Sequence, residues 1–175
     1  ATWDTADDAI LRQLLGDRIG WQDAPTYDGK TAGRIAISTR DLARFGLLYL
    51  NRGDWSGQPL LDAGLVDLAT GSPLRNDWPR TLGVDAEMVA GQRTYGGSKN
   101  QSDHYGSYSF TWWVNGVHPD GTRHWSALPL DAYVAHGHWG KRVLLVVPSL
   151  QLLVVWNDST AVDTIPEIND AFRIL

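Results

Sequence analysis

The chain contains no cysteine. That absence excludes disulfides, thiolate metal sites and a cysteine nucleophile together. No apolar run approaches the roughly 18 residues that a membrane-crossing helix needs, so no membrane span is expected. No basic segment followed by an apolar core opens the chain, so no signal peptide is expected within it. Basic residues number 15 against 20 acidic ones, a net charge of -5, and they are scattered rather than striped. A nucleic-acid partner is therefore not expected. Internal repeats and low-complexity tracts are also lacking.

What is present reads as one globular domain. The prior for 175 residues is a single domain, and a chain of that size buries roughly 70% of its unfolded surface without staples. Apolar residues make up 43% and charged residues 20%, ordinary proportions for a globule. The unusual feature is nine Trp against one Met. Trp serves either as large core filler or as a stacking platform for rings.

Residues 1–71 read as mainly helical, with a Gly- and Pro-rich loop at 20–36. Thr5 to Asp8 resembles a capping box before Ile10, Leu11, Leu14 and Leu15, which share a helical face. In "STRDLARFGLLYLNRG", Ser38 and Asp41 form a second capping pattern. There Leu42, Phe45 and Tyr49 make an apolar stripe that Ala43, Leu47 and Leu50 widen, and Gly53 stops the helix. A shorter helix is predicted from Asp62 to just before Gly71. Residues 72–106 read as a long loop, and 107–160 as antiparallel strands. "YSFTWWVNGV" is aromatic and β-branched, and Pro119-Asp120-Gly121 supplies a turn. The solid apolar runs at 143–147 and 152–156 predict central strands covered on both faces. A last helix is predicted over 165–175, with Pro166 in its first turn. The order implies an α+β fold, an antiparallel sheet covered by helices.

The polar knot "AHGHWGK", residues 135–141, stands at the mouth of those apolar runs. On a strand, His136 and His138 point to the same side and could reach one metal ion. A third ligand would have to come from His104, His118 or His124, none of which has a helical His-Glu-x-x-His spacing. The other reading is two hydrogen-bonded imidazoles at a loop mouth. No cofactor is expected. Neither Gly-x-Ser-x-Gly nor Ser-x-x-Lys occurs. Tyr49-Leu50-Asn51 matches Tyr-x-Asn, but Tyr49 falls on the apolar helix face, where packing is the better account. Ser98-Lys99-Asn100 matches Ser-x-Asn inside a Gly-rich loop, where such a match is cheap. Trp112 and Trp113 are neighbours on a predicted strand and must face opposite ways.

Taken together, three segments resemble the serine β-lactamase-related hydrolases, which include class C β-lactamases, D-alanyl-D-alanine carboxypeptidases, esterases and 6-aminohexanoate-dimer hydrolases. They are "GRIAISTRDLARFGLLYLNRGDWSGQPLL", "YSFTWWVNG" and "AHGHWGKRVLLVVPSLQLLVVWND", in that order. "EINDAFRIL" is similar to that family's closing helix. The resemblance spans most of residues 10–175 and implies acyl-enzyme chemistry on an amide, lactam or ester. It implies that residues 135–141 form the third-motif wall of the site, with His136 and His138 flanking the pocket in catalytic positions. Gly137, Trp139, Gly140 and Lys141 would then touch substrate, and the N–H of His138 or Trp139 would complete the oxyanion hole. Two registers fit. His136-Gly137-His138 sets a His at the family's Lys/His position, whereas Ala135-His136-Gly137 keeps the motif's Gly.

The family's Ser-x-x-Lys and Tyr-x-Asn motifs lie upstream of the matched region. The resemblance thus implies a C-terminal portion of the fold, inactive alone, with the nucleophile in an N-terminal half that would be its partner. An uncovered sheet edge or self-association would follow. It leans towards a periplasmic or secreted setting. The competing readings are a non-catalytic Trp-rich module for a peptide or glycan, and a metal-dependent enzyme built on His136 and His138.

Overall fold

The computed structural model describes residues 9–23, 25–27, 35–71, 75–77, 86–89, 92–94, 107–137, 141–157 and 164–174. The proposed cap at Thr5 to Asp8, the Ser98-Lys99-Asn100 match and His104 lie outside them. Arg12–Gly16 forms a single π-helical turn after a short helical stretch at 9–11. Ile10 and Leu14, predicted to share a helical face, are exposed. Within the loop predicted at 20–36, β1 (Thr26–Tyr27) pairs with β2 (Ile35–Ala36).

The first long helix, α1 (Thr39–Leu50), starts as the sequence predicts. Ser38 Oγ accepts the Asp41 N–H at 3.2 Å and so satisfies one orphan donor of the first turn. Gly53 terminates it at φ 89°, and a Cβ there would sit 2.4 Å from the Leu61 carbonyl oxygen. The apolar stripe needs one correction. Leu48 is fully buried and Leu47 is exposed, because Leu48 lies on the Asp41 side of the helix and Leu47 is turned away from the sheet. Tyr49 packs 5.0 Å from Phe45 and 4.7 Å from Trp112, ring centre to ring centre, so its place is in the core. A small ladder follows, β3 (Asp54–Trp55) with β4 (Gln58–Pro59). Then comes α2 (Ala63–Thr70), capped by Asp62, whose carboxylate accepts the Leu65 N–H at 2.9 Å. Where a loop was predicted, β5 (Ala86–Val89) and β6 (Gln92–Thr94) form an antiparallel hairpin.

The main sheet is a five-stranded antiparallel meander in the order β11-β10-β9-β8-β7. Its strands are β7 (Tyr108–Ser109), β8 (Trp112–Val114), β9 (Tyr133–Gly137), β10 (Arg142–Val147) and β11 (Leu152–Trp156). "YSFTWWV" was expected to be one strand. It is a hairpin instead, turned at Phe110 (φ 42°) and Thr111 (φ 73°), the two-residue geometry that suits strand twist but favours Asn and Gly. Phe110 is left exposed and lines an apolar cleft of about 310 Å³ with Tyr49, Leu65 and Leu68. Val143 to Val147 are all buried, as a central strand requires. The equally apolar β11 is not central: among the described residues it ends the sheet, and each of its residues is half-buried.

Alternation divides the sheet between two cores. One face carries Trp112, Val114, Tyr133, Leu144 and Val146 against α1. There Gly46 lets the helix approach closely, since a Cβ would lie 2.3 Å from Leu153 Cδ1 and 2.5 Å from Leu144 Cδ1. The other face carries Val134, Val143, Leu145 and Val147. It is covered by Trp125, Leu128 and the closing helix α3 (Thr164–Ile174), which contributes Ile168 and Phe172. Helices and connecting chain thus lie on both sides of an antiparallel sheet, the predicted α+β arrangement.

Candidate active-site wall

The knot at 135–137 occupies the last turn of pleat on β9. Its partner is the start of β10, with Gly137 opposite Arg142, His136 opposite Val143 and Ala135 opposite Leu144. On the other side, β8 pairs only as far as Trp113 with Val134. The segment 135–137 therefore runs on beyond the β8 ladder. It borders a cleft of about 320 Å³ whose opposite side is apolar, formed by Ile35, Ile37 and Leu42. Arg142 brings a positive charge to the same rim. A strand end of this kind can hold an extended ligand along its backbone, while a nearby guanidinium favours developing negative charge. Nothing in the residue spacing pointed to Ile35 and Ile37 as lining, although their alternation is visible in "RIAIS".

Of the residues singled out in the sequence, His136 and Gly137 line this cleft. Lys141 is half-buried in the turn that enters β10. His138, Trp139 and Gly140 lie outside the described residues. The His136 ring is stacked on Trp113 at 4.7 Å and 20°. Trp113 also stacks with His124, in the loop after β8, at 5.5 Å and 11°, and His124 in turn meets Trp125 edge-on at 4.5 Å. His118 lies 5.8 Å from His124. Imidazoles and indoles thus form a continuous stack behind the wall. These histidines, candidate metal ligands by sequence, are packed against indole rings instead, with Trp113 in contact with both His124 and His136. Among the described residues, no group of three or more metal-binding side chains gathers.

Several described serines have structural roles. Ser38 caps α1, and Ser149 donates its hydroxyl to Asp131 at 2.9 Å and its N–H to the same carboxylate at 2.6 Å. The Ser107 and Ser109 hydroxyls are buried at the sheet's β7 end and, among the described residues, have no hydrogen-bond partner.

The charged anchor nearest the cleft's helix is Asp41. It is fully buried and accepts the N–H groups of Gln22 (3.0 Å) and Asp23 (2.8 Å) and the Arg44 guanidinium (3.1 Å). Burial alone would raise its carboxyl pKa. The two N–H groups, Arg44 and Ser38 outweigh burial and hold it below the usual carboxylate range. It staples the 22–23 loop to the start of α1, and with it the Leu42 side of the cleft.

No protein-family model matches the chain, and no curated protein does. Solved structures do match. One is a crystal structure of a "putative beta-lactamase from Bacteroides dorei DSM 17855", with a TM-score of 0.56 and 13% sequence identity. The alignment covers 95% of this chain and 50% of that one, so the chain spans half the length of this structural relative. The fold, helices around a five-stranded antiparallel sheet, is β-lactamase-like.

Proposed function

We propose that the chain supplies one wall of a serine hydrolase site that acts by acyl transfer on an amide, lactam or ester. The observation that carries this reading is the β9 end: Ala135, His136 and Gly137 bordering a cleft, with Arg142 beside them, in a β-lactamase-like fold. In this reading an extended substrate lies along residues 135–137, and a backbone N–H just beyond Gly137 receives the oxyanion. His136 and His138 flank the pocket, while Trp139, Gly140 and Lys141 complete the substrate side. The chain contains no Ser-x-x-Lys. The attacking Ser and its Lys and Tyr partners are therefore assigned to sequence outside these 175 residues, and the chain by itself is inactive. Its partner is then that N-terminal half, and its setting the periplasm or exterior.

Intact mass after exposure to a fluorophosphonate or a fluorescent penicillin tests both halves of this reading. The isolated chain should stay unlabelled. Probe-captured protein from the native source should yield the peptides of residues 133–158 together with a labelled Ser outside this sequence. A labelled Ser within the chain would overturn the division of labour. Capture that never includes these peptides would overturn hydrolysis and leave a binding remnant, the reading that the missing nucleophile motif favours. Such a remnant would not use Trp112 or Trp125 as ring platforms, because both are buried in the core.

A further inference from the structure

The side of the cleft that faces the β9 wall is built from three aliphatic side chains. Ile35 and Ile37 stand two residues apart, so they face the same way along an extended segment. Both are half-buried, while Ala36 between them is exposed. Leu42, in the first turn of α1, joins them at the cleft. Val143 and Leu144 also line it, each only 1% exposed.

This apolar side is held in place from several directions. Ile35 pairs with Tyr27 across the β1–β2 ladder. The Ile37 carbonyl accepts the Asn157 side-chain amide at 3.4 Å. Asp41 ties residues 22 and 23 to the head of α1 and so fixes Leu42. The charge of the cleft is one-sided as well. Among the described lining residues the permanent charge is the Arg142 guanidinium, and no carboxylate joins it.

These features select what can sit beside residues 135–137. A polar or ionised group over Ile35 and Ile37 would give up its water and receive no hydrogen bond in return. A cationic group would also meet Arg142. An apolar group gains with every methylene taken out of water. At ~30 Å³ for each water-sized group, a cleft of about 320 Å³ has room for roughly ten non-hydrogen atoms, a medium-length chain or a ring. We propose that the substrates are amides or esters whose group seated in this cleft is uncharged and apolar, with Ile35, Ile37 and Leu42 as the residues that determine this specificity. The bond that is cut rests on the hydrolase reading above. The seating of the apolar group is a matter of binding and is tested by binding alone.

Methyl and amide NMR of the chain, titrated with acetamide, butanamide and hexanamide, reads that seating without turnover. Saturable shifts are expected at Ile35, Ile37, Leu42 and Gly137, and affinity should rise roughly 3-fold per added methylene. 6-Aminohexanamide, which adds an ammonium at the tip of the chain, should bind at least ~10-fold more weakly than hexanamide. Ile37→Thr keeps a branched side chain and adds a hydroxyl. It should weaken hexanamide about 5-fold and leave acetamide unchanged, whereas a merely structural loss would weaken both alike. The proposal falls if affinity is flat along the series, if the ammonium tip costs nothing, or if the shifts lie away from this cleft. A flat series beside a probe-labelled Ser outside this sequence would overturn the apolar preference and leave the hydrolase reading standing. A rising series with no such labelled Ser would uphold the preference and overturn hydrolysis.

Discussion

The two faces of the sheet are covered by different means. On one, α1 lies flat because Gly46 removes a side chain where Leu144 and Leu153 need the space. On the other, much of the cover is the irregular chain of 115–132, which side chains hold in order: Arg123 donates to the carbonyls of Ser126 and Leu128, and one buried amide makes still more bonds. Asn115 donates to the carbonyls of Trp125, Leu128 and Pro129 and accepts the Trp125 N–H at 2.8 Å. Asn169 on α3 adds one more tie by accepting the Ala127 N–H. A helix satisfies its own backbone and asks only for a fitting surface. A loop over a core must be given its hydrogen bonds by side chains. The contrast teaches that equal burial can rest on shape on one side and on polar satisfaction on the other.

Removing the polar hub should therefore be the most damaging single change. Asn115→Ala strands the buried Trp125 N–H and loosens three carbonyls, a loss of about 3 kcal/mol, read from the urea midpoint. If the loss is under ~1 kcal/mol, the loop does not depend on the amide and the contrast fails. Gly46→Val attacks the helical face. The added methyls meet packed Leu tips, and overpacking should remove about 2 kcal/mol. Chemical shifts of methyls on Leu144 and Leu153 should move while those on the Leu145 face hold still.

The last effect is the acid limb, which is confined to low pH. The Asp41 pKa is lower folded than unfolded, so its contribution is complete above about pH 4, near the unfolded value. That contribution is lost as pH falls through the folded value. Asp41→Ala should lose about 2 kcal/mol at neutral pH and show a flatter decline below pH 4. An unchanged acid slope in that variant would show that Asp41 is not the group that titrates.

The helical face was readable in the sequence because its signals are local. Ser38 and Asp41 mark the start, Gly53 the stop, and Leu42, Phe45 and Tyr49 the stripe. The loop-covered face was not, since an Asn that bonds 10 to 14 residues away leaves no periodic trace. The run at 152–156 reads like the run at 143–147, and only strand order, a long-range property, makes one an edge and the other a centre. The cleft-lining residues 135–137 fall within the Gly-flanked polar knot of the sequence. The stacking of His136 on Trp113 depends on strand register, which composition does not encode.

The Phe110-Thr111 turn has an engineering consequence. Both residues hold a left-handed backbone that costs roughly 1–2 kcal/mol apiece outside Gly and Asn. Replacement by Asn-Gly would relieve that strain and let the hairpin close as an early folding nucleus. It would also delete the exposed ring that walls the cleft beside Tyr49, Leu65 and Leu68. Selection for thermostability alone would favour the exchange, and selection for whatever the Phe110 ring touches would resist it. Running both selections on the same two codons would show which pressure shaped the turn.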